Sequence, residues 1–230
     1  MSVESDLREL ADPEKAKLLQ GFFKTGKGEY AEGDIFLGVV VPEQRKVAQR
    51  YAGLTLPEIQ TLLNSKIHEH RLTALFILTD KYQKSGEQEK KKIFELYLKN
   101  KKNINNWDLI DLSAPKIVGN YLLDKKREVL YRLAKSKSLW ERRISILATF
   151  EFIANNEFKD TLAISEILLN GKHDLIHKGV GWMLREVGKR VSQEKEEEFL
   201  NKHYKKMPRT MLRYAIERFP GQKRKFYLKK

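Results

Sequence analysis

Apolar residues recur at intervals of three and four through most of the 230-residue chain, the spacing of helices that bury one face. Prolines stand where helices begin. Asp12-Pro13-Glu14, Pro42 and Leu56-Pro57-Glu58 each open an apolar-periodic run, and proline fits the first turn because its missing N–H is not needed there. Residues 87–100, 126–135, 139–155, 160–170, 174–191 and 208–219 also carry the helical period. Asp34–Val41 (DIFLGVVV) is short and β-branched, as a strand would be. It has no partner run, so the pattern predicts a buried extended segment leading into the Pro42 helix, and strand content near zero.

The helical pattern repeats. From Arg71 in HEHRLTALFIL, a step of 36 residues reaches Trp107 in NNWDLIDL and another 36 reaches Arg143 in WERRISILATF. A step of 35 then reaches Lys178 in LIHKGVGWMLRE, and 36 more reaches Tyr214 in RTMLRYAIERF. Upstream of each anchor lies another apolar run: PEIQTLL, KKIFELYL, REVLYRLA, AISEILL and EEEFLNKHY. Each unit is a helix, a short polar loop and a second helix. One such pair cannot bury its own apolar face, so neighbours must stack. The prediction is an all-α chain: an α-solenoid of about six stacked antiparallel helix pairs, HEAT-like or ARM-type, with a concave cleft. The period lacks the Trp, Leu-Gly and Tyr signature of tetratricopeptide repeats. Residues 1–230 are expected to form one domain, with 221–230 as a basic C-terminal tail.

The phase of the repeat sorts the polar residues. Positions 0, +4 and +7 from each anchor share a helical face. That face carries Arg71 followed by Leu75 and Leu78, then Trp107 with Asp111, then Arg143, then Lys178, Trp182 and Arg185, then Tyr214 and Arg218. A face that only packs would show Leu and Ala there, and a face that only meets water would show a Glu/Lys mixture. Each inter-helix loop also carries a lysine: Lys66, Lys102, Lys137, Lys172 and Lys206, spaced 34 to 36 residues apart. They precede the N-termini of the second helices, and both lysines and helix N-termini attract phosphate. The plainer alternative is that loops are lysine-rich because they are wet.

Composition narrows the classes. The formal net charge is +14, from 45 Lys+Arg and 31 Asp+Glu. Residues 201–230 hold eleven Lys/Arg against one acid, Glu217, so much of the excess lies at the C-terminal end, where a solvated tail would explain it equally well. Such a balance points to an acidic partner, nucleic acid foremost. Cysteine is absent, which excludes disulfides, thiolate metal sites and a cysteine nucleophile. The longest apolar run, Ile35–Val41, is far short of the ~20 residues a membrane span needs. The acidic start MSVESDLREL lacks a secretory signal, so a cytoplasmic, nucleoid-associated location is expected, with no membrane partner.

Other motifs fall away. Gly21-Phe-Phe-Lys-Thr-Gly26-Lys27-Gly28 imitates a phosphate-binding loop, but Gly28 stands where a hydroxyl residue is required and no strand precedes it. His68 and His70 diverge on a helix. His173 and His177 are four apart without a third ligand, so no metal site is expected. No G-x-S-x-G elbow supports a serine triad.

FLGVVVPEQRKVA, NNWDLIDLSAPKIVG, LWERRISILATF and HKGVGWMLREVGKR together resemble the AlkD-like DNA alkylation repair proteins, HEAT-like-repeat DNA glycosylases. The likeness runs from about residue 20 to 220. It implies excision of cationic alkylated purines, such as N7-methylguanine and N3-methyladenine, from duplex DNA, with no cofactor. Matched to the family's motifs, Trp107, Asp111 and Trp182 fall on its catalytic-cleft residues and Arg143 on its DNA-contacting arginine. Lys178 and Arg185 are further candidate DNA contacts. The family can carry a second aromatic before the tryptophan; here the residue is Asn106. Members that bind DNA without excising bases exist, so a non-catalytic DNA-binding protein is the alternative, and a protein-interaction scaffold a more distant one. The resemblance further implies a grip on the backbone that leaves the lesion base largely stacked, and a capped array of this kind is expected to act as a monomer.

Overall fold

The computed structural model describes residues 2–229, and among them every regular element is helical. Backbone packing divides the chain into two compact units, with the division between Ser113 and Ala114.

The first unit contains α1 (Val3–Glu9), α2 (Pro13–Phe22), α3 (Val41–Arg50), α4 (Leu56–Leu63), α5 (His68–Lys84), α6 (Glu87–Lys99) and most of α7 (Trp107–Ala114). The predicted starts hold. Asp12 caps α2 by accepting from the Lys15 N–H, and Thr55 and Glu58 form a reciprocal capping box on α4. Pro13, Pro42 and Pro57 all lie in first turns. Helix α5 is the core of this unit, packed by α3, α4 and α1. Tyr97 of α6 reaches α7 through a 2.9 Å hydrogen bond between its phenol and the Ser113 hydroxyl.

The 34–41 segment is extended, as predicted. Its one sheet-like contact is a parallel bridge between Ile35 and Ile67. Glu69, fully buried at the start of α5, accepts hydrogen bonds from the Leu37, Gly38 and Val39 N–H groups. Gly38 has a φ of +86°, and a Cβ there would stand 2.1 Å from the Asp12 carbonyl oxygen. Only glycine fits this crossing of the strap over the start of α2.

The second unit opens with a π-helical turn, Pro115–Gly119, followed by α8 (Glu128–Ala134), α9 (Leu139–Ala154), α10 (Lys159–Leu168), α11 (Asp174–Arg190), α12 (Gln193–His203), α13 (Arg209–Ala215) and α14 (Gly221–Leu228). First helices α8 and α10 touch one another, and second helices α9, α11 and α13 lie side by side. That is the two-layer stacking of a helical array, and the α-solenoid class predicted from the repeat. Gly181 allows α13 to close on α11, since a Cβ there would meet the Met211 carbonyl at 2.4 Å. Residues 221–228, expected as a tail, form α14. Tyr227 is buried there and donates to the side-chain Oδ1 of Asn201 at 2.9 Å.

Candidate active site and nucleic-acid interface

Helix α7 sorts its residues sharply. Asp108, Leu109, Ile110, Ser113 and Ala114 are buried, whereas Trp107 and Asp111, one turn apart, both stay half-buried. Asn106 is fully buried, and its side-chain carbonyl accepts from the Trp107 N–H at 2.8 Å, fixing the first turn. The polar residue in place of an aromatic is therefore structural. Beneath the helix, burial pushes the Tyr97 phenol far up, and the Asp111 charge pushes it the same way.

Trp107 is set on an aromatic pile. Its ring stacks on Phe23 with centroids 5.2 Å apart, and Phe22 meets it edge-on at 6.0 Å. Phe23 stacks on Phe36 at 5.0 Å, and Phe36 on the His68 imidazole at 4.4 Å. Behind the pile lies a buried ionic network. The His68 ring nitrogens contact Asp108 at 2.8 Å and Asp34 at 3.3 Å, and Arg71 donates to Asp34 at 2.7 Å. Asn105 donates to the other Asp34 oxygen at 3.1 Å. Burial works against a charged imidazole, but the Asp108 and Asp34 carboxylates hold the His68 pKa above its ordinary value. Burial likewise works against Asp34, yet His68, Arg71 and Asn105 hold its carboxyl below the usual range. Asp34, His68, Asp108 and the three phenylalanines were not singled out as site residues. The repeat marked Arg71 as an anchor, but its guanidinium is almost wholly buried in this network.

The second unit presents Lys178, Trp182 and Arg185 along α11. Trp182 stays half-buried beside Phe150 at 6.1 Å, and Arg190 lies over the Phe150 ring at 5.0 Å. Lys178 pairs with Asp174 at 2.7 Å. Arg185 pairs with Glu217, the salt-bridged role that competes with DNA contact for this side chain. Arg143, on neighbouring α9, is only 4% exposed and donates to the Leu175 carbonyl at the start of α11. Lys66, Lys102, Lys137, Lys172 and Lys206 are all exposed, each in the loop before a second helix. The backbone amides of the glycine-rich loop are already taken: Gly26 donates to Glu29 and Gly28 to Glu32. Among the described residues, no group of three or more His, Cys, Asp or Glu is placed to hold a metal ion, and no helix is long and apolar enough to cross a membrane.

A two-layer helical array with a tryptophan–carboxylate pair and lysine-bearing loops is an architecture suited to reading a polyanion. The model of the DNA alkylation repair enzyme family matches residues 3–219, and the chain belongs to that family. Its fold is also similar to that of a protein described as "Predicted DNA alkylation repair enzyme from Enterococcus faecalis", with a TM-score of 0.72 and 15% identity over 92% of this chain and 97% of that one. No curated protein sequence matches it.

Proposed function

We propose that the protein is a DNA glycosylase that releases cationic alkylated purines, such as N7-methylguanine and N3-methyladenine, from duplex DNA. The observation that carries this reading is α7, where Asp111 and Trp107 are held one turn apart on the helix's partly open side while the flanking polar residues are buried. Family membership supplies the setting, alkylation damage in DNA.

Hydrolysis of most glycosides calls on two carboxyl groups, one of them protonating the leaving group. A purine alkylated at N7 or N3 is already a cation and leaves without that proton, so one carboxylate suffices. The C1′–N bond breaks with its electron pair passing to the purine, which departs neutral. Asp111 stabilises the oxocarbenium-like sugar, a water oxygen adds to C1′, and the proton it sheds passes to the Asp111 carboxylate. A unit charge pair at about 4 Å is worth roughly 1 kcal/mol in water and about 4 in a partly dry site. The Trp107 face adds cation–π attraction on the order of 0.5–2 kcal/mol. Trp182 is assigned the same kind of contact on the strength of the family likeness. Arg143, Lys178, Arg185 and the five loop lysines are assigned to the DNA backbone. For Arg143, which is almost wholly buried and donates to the Leu175 carbonyl, this requires the guanidinium to turn outward, and Arg185 must exchange Glu217 for a phosphate. The working form is a monomer on duplex DNA, without metal or cofactor.

The test is release of N7-methylguanine from alkylated duplex. Wild-type protein is expected to release it, and Asp111→Asn to be slower by about 100-fold or more while binding undamaged duplex equally well. If the wild type binds duplex and releases nothing, the glycosylase reading fails and a DNA-binding role replaces it.

A further inference from the structure

His68 opens α5 and is only 1% exposed, yet both of its ring nitrogens meet carboxylates. Nδ1 lies 3.3 Å from Asp34 of the 34–41 strap, and Nε2 lies 2.8 Å from Asp108 in the first turn of α7. A neutral imidazole has one N–H and one bare lone pair, so one of these contacts would set a lone pair against a carboxylate oxygen. Both contacts are satisfied when the ring carries both protons. The surrounding charges agree. Glu69, the next residue of α5, is answered by three backbone N–H groups of the strap. Asp34 and Asp108 are then balanced by Arg71 and His68. Lys15 of α2 is turned to Asp12 instead, at 3.1 Å. Against the ring itself, Phe36 of the strap stacks at 4.4 Å and Phe23 at the end of α2 lies tilted at 5.2 Å.

The two carboxylates are not held alike. Asp34 also accepts from Arg71 at 2.7 Å and from Asn105 at 3.1 Å. Asp108 accepts otherwise from the Leu109 N–H of its own helix, at 2.9 Å. Among the described residues, His68 is therefore the one side-chain donor that ties Asp108 to another element. Asp108 is the neighbour of Trp107 on an eight-residue helix whose far end is tied separately, by the Tyr97–Ser113 bond. His68 also reaches Trp107 by a second route. Rings stack from the imidazole through Phe36 and Phe23 to the indole, at 4.4, 5.0 and 5.2 Å. A flat cation at the foot of that pile is attracted by the Phe36 face.

We infer that His68 is a positioning residue: as an imidazolium it clamps the start of α7 to the strap and so sets where Trp107 and Asp111 stand. It is buried behind the pile and touches no substrate. When its proton leaves, a lone pair faces a carboxylate and two carboxylates are left to Arg71 alone. Asp34 keeps Arg71 and Asn105, so α7 is the element that yields. Trp107 and Asp111, one turn apart on that helix, are then displaced together, and small displacements of reacting groups are costly to rate. The consequence for base release rests on the glycosylase reading. The place of Trp107 does not, and it is read on protein without DNA.

The test follows Trp107 by fluorine NMR of the full-length protein carrying 5-fluorotryptophan at its three tryptophans, with Trp107→Phe assigning the resonance. Asp108→Asn withdraws the nearer carboxylate, so His68 holds its second proton less tightly. In that variant the Trp107 resonance is expected to move in one step as pH rises, with a midpoint about one pH unit or more below any wild-type step. Adding His68→Phe, which keeps a flat ring under Phe36 and carries no proton, is expected to abolish the step; His68→Gln takes its place if the double variant does not fold. Single-turnover release of N7-methylguanine by Asp108→Asn is expected to fall by about tenfold or more across the same midpoint, while affinity for undamaged duplex holds. A Trp107 resonance in Asp108→Asn that ignores pH, or a step that survives the loss of His68, overturns the proposal. So does base release that takes no notice of the step. If the wild type releases no base at all, the glycosylase reading fails, and the fluorine titration alone decides the role of His68.

Discussion

Gly38 shows how much structure can rest on one missing methyl group. Its φ of +86° is open to glycine alone, and its Cα lies so close to the start of α2 that a Cβ would collide with the Asp12 carbonyl and the Ala16 amide. Those are backbone atoms, which cannot swing aside. Gly38→Ala is expected to destabilise the protein by about 2 kcal/mol or more, read as a lower midpoint in denaturant; an unchanged midpoint would mean that the strap does not cross α2 this closely. Glu196 makes a different point. Burial, reinforced by the Glu197 charge, pushes its carboxyl up to about 8 from an ordinary 4.5, against the pull of Arg185 and Lys223. The folded state then holds a proton that the unfolded state gives up, so this group's contribution to stability falls as pH rises from about 4.5 to about 8. Glu196→Gln, which removes the buried charge and keeps the shape, is expected to raise the unfolding temperature at pH 9 and leave it unchanged at pH 4. A wild-type-like temperature at pH 9 would show that the carboxylate is not held away from water.

At the scale of elements, the repeat was the legible part. Apolar spacing and first-turn prolines located α3 to α6 and α8 to α13 to within a few residues, because each must bury a face against its neighbours and the period of that face is written in the chain. The loop lysines were legible for the same reason. Other elements were hidden by physics that spacing does not encode. The repeat anchor at Trp107 marks a second helix but not its end, where Pro115 removes a backbone donor and the helix passes into a π turn over Pro115–Gly119. The basic end looked like a solvated tail because its charges dominate. One aromatic, Tyr227, together with its bond to Asn201, holds it as α14. The site divides in the same way. Trp107 and Asp111 share a face by simple i, i+4 geometry, which any helical reading finds. The His68–Asp34–Asp108 network joins residues 34 to 40 positions apart in sequence, and no local pattern announces such a contact. Arg143 had the right phase for a phosphate ligand, but phase cannot say that the guanidinium turns inward to the Leu175 carbonyl. Only the fold shows how much of a charged side chain is left for a partner.

For the whole molecule, the net charge of +14 is less informative than which cations are free to meet a phosphate. Many are not. Arg71 is buried on Asp34, Arg127 is divided between Glu157 and Asp160, Arg190 is held by Glu186 and Lys223 by Glu197. The five loop lysines are exposed, one for each of five helix pairs on either side of the Ser113–Ala114 division. If each neutralises one phosphate of a duplex, they release about five counterions, and log Kd varies with log salt with a slope of roughly 4 to 5. Replacing Lys66, Lys102, Lys137, Lys172 and Lys206 singly by Ala is then expected to lower that slope by about 0.9 each, with the same loss on damaged and undamaged duplex, because a phosphate carries no information about the base. Asp111→Asn must leave the slope where it is, since it removes no cation. Fluorescence anisotropy across a salt series gives all of these slopes. A slope unchanged when all five lysines are replaced together would place DNA binding on other cations, and the basic surface of 201–229, with α14 in it, would be the next to test.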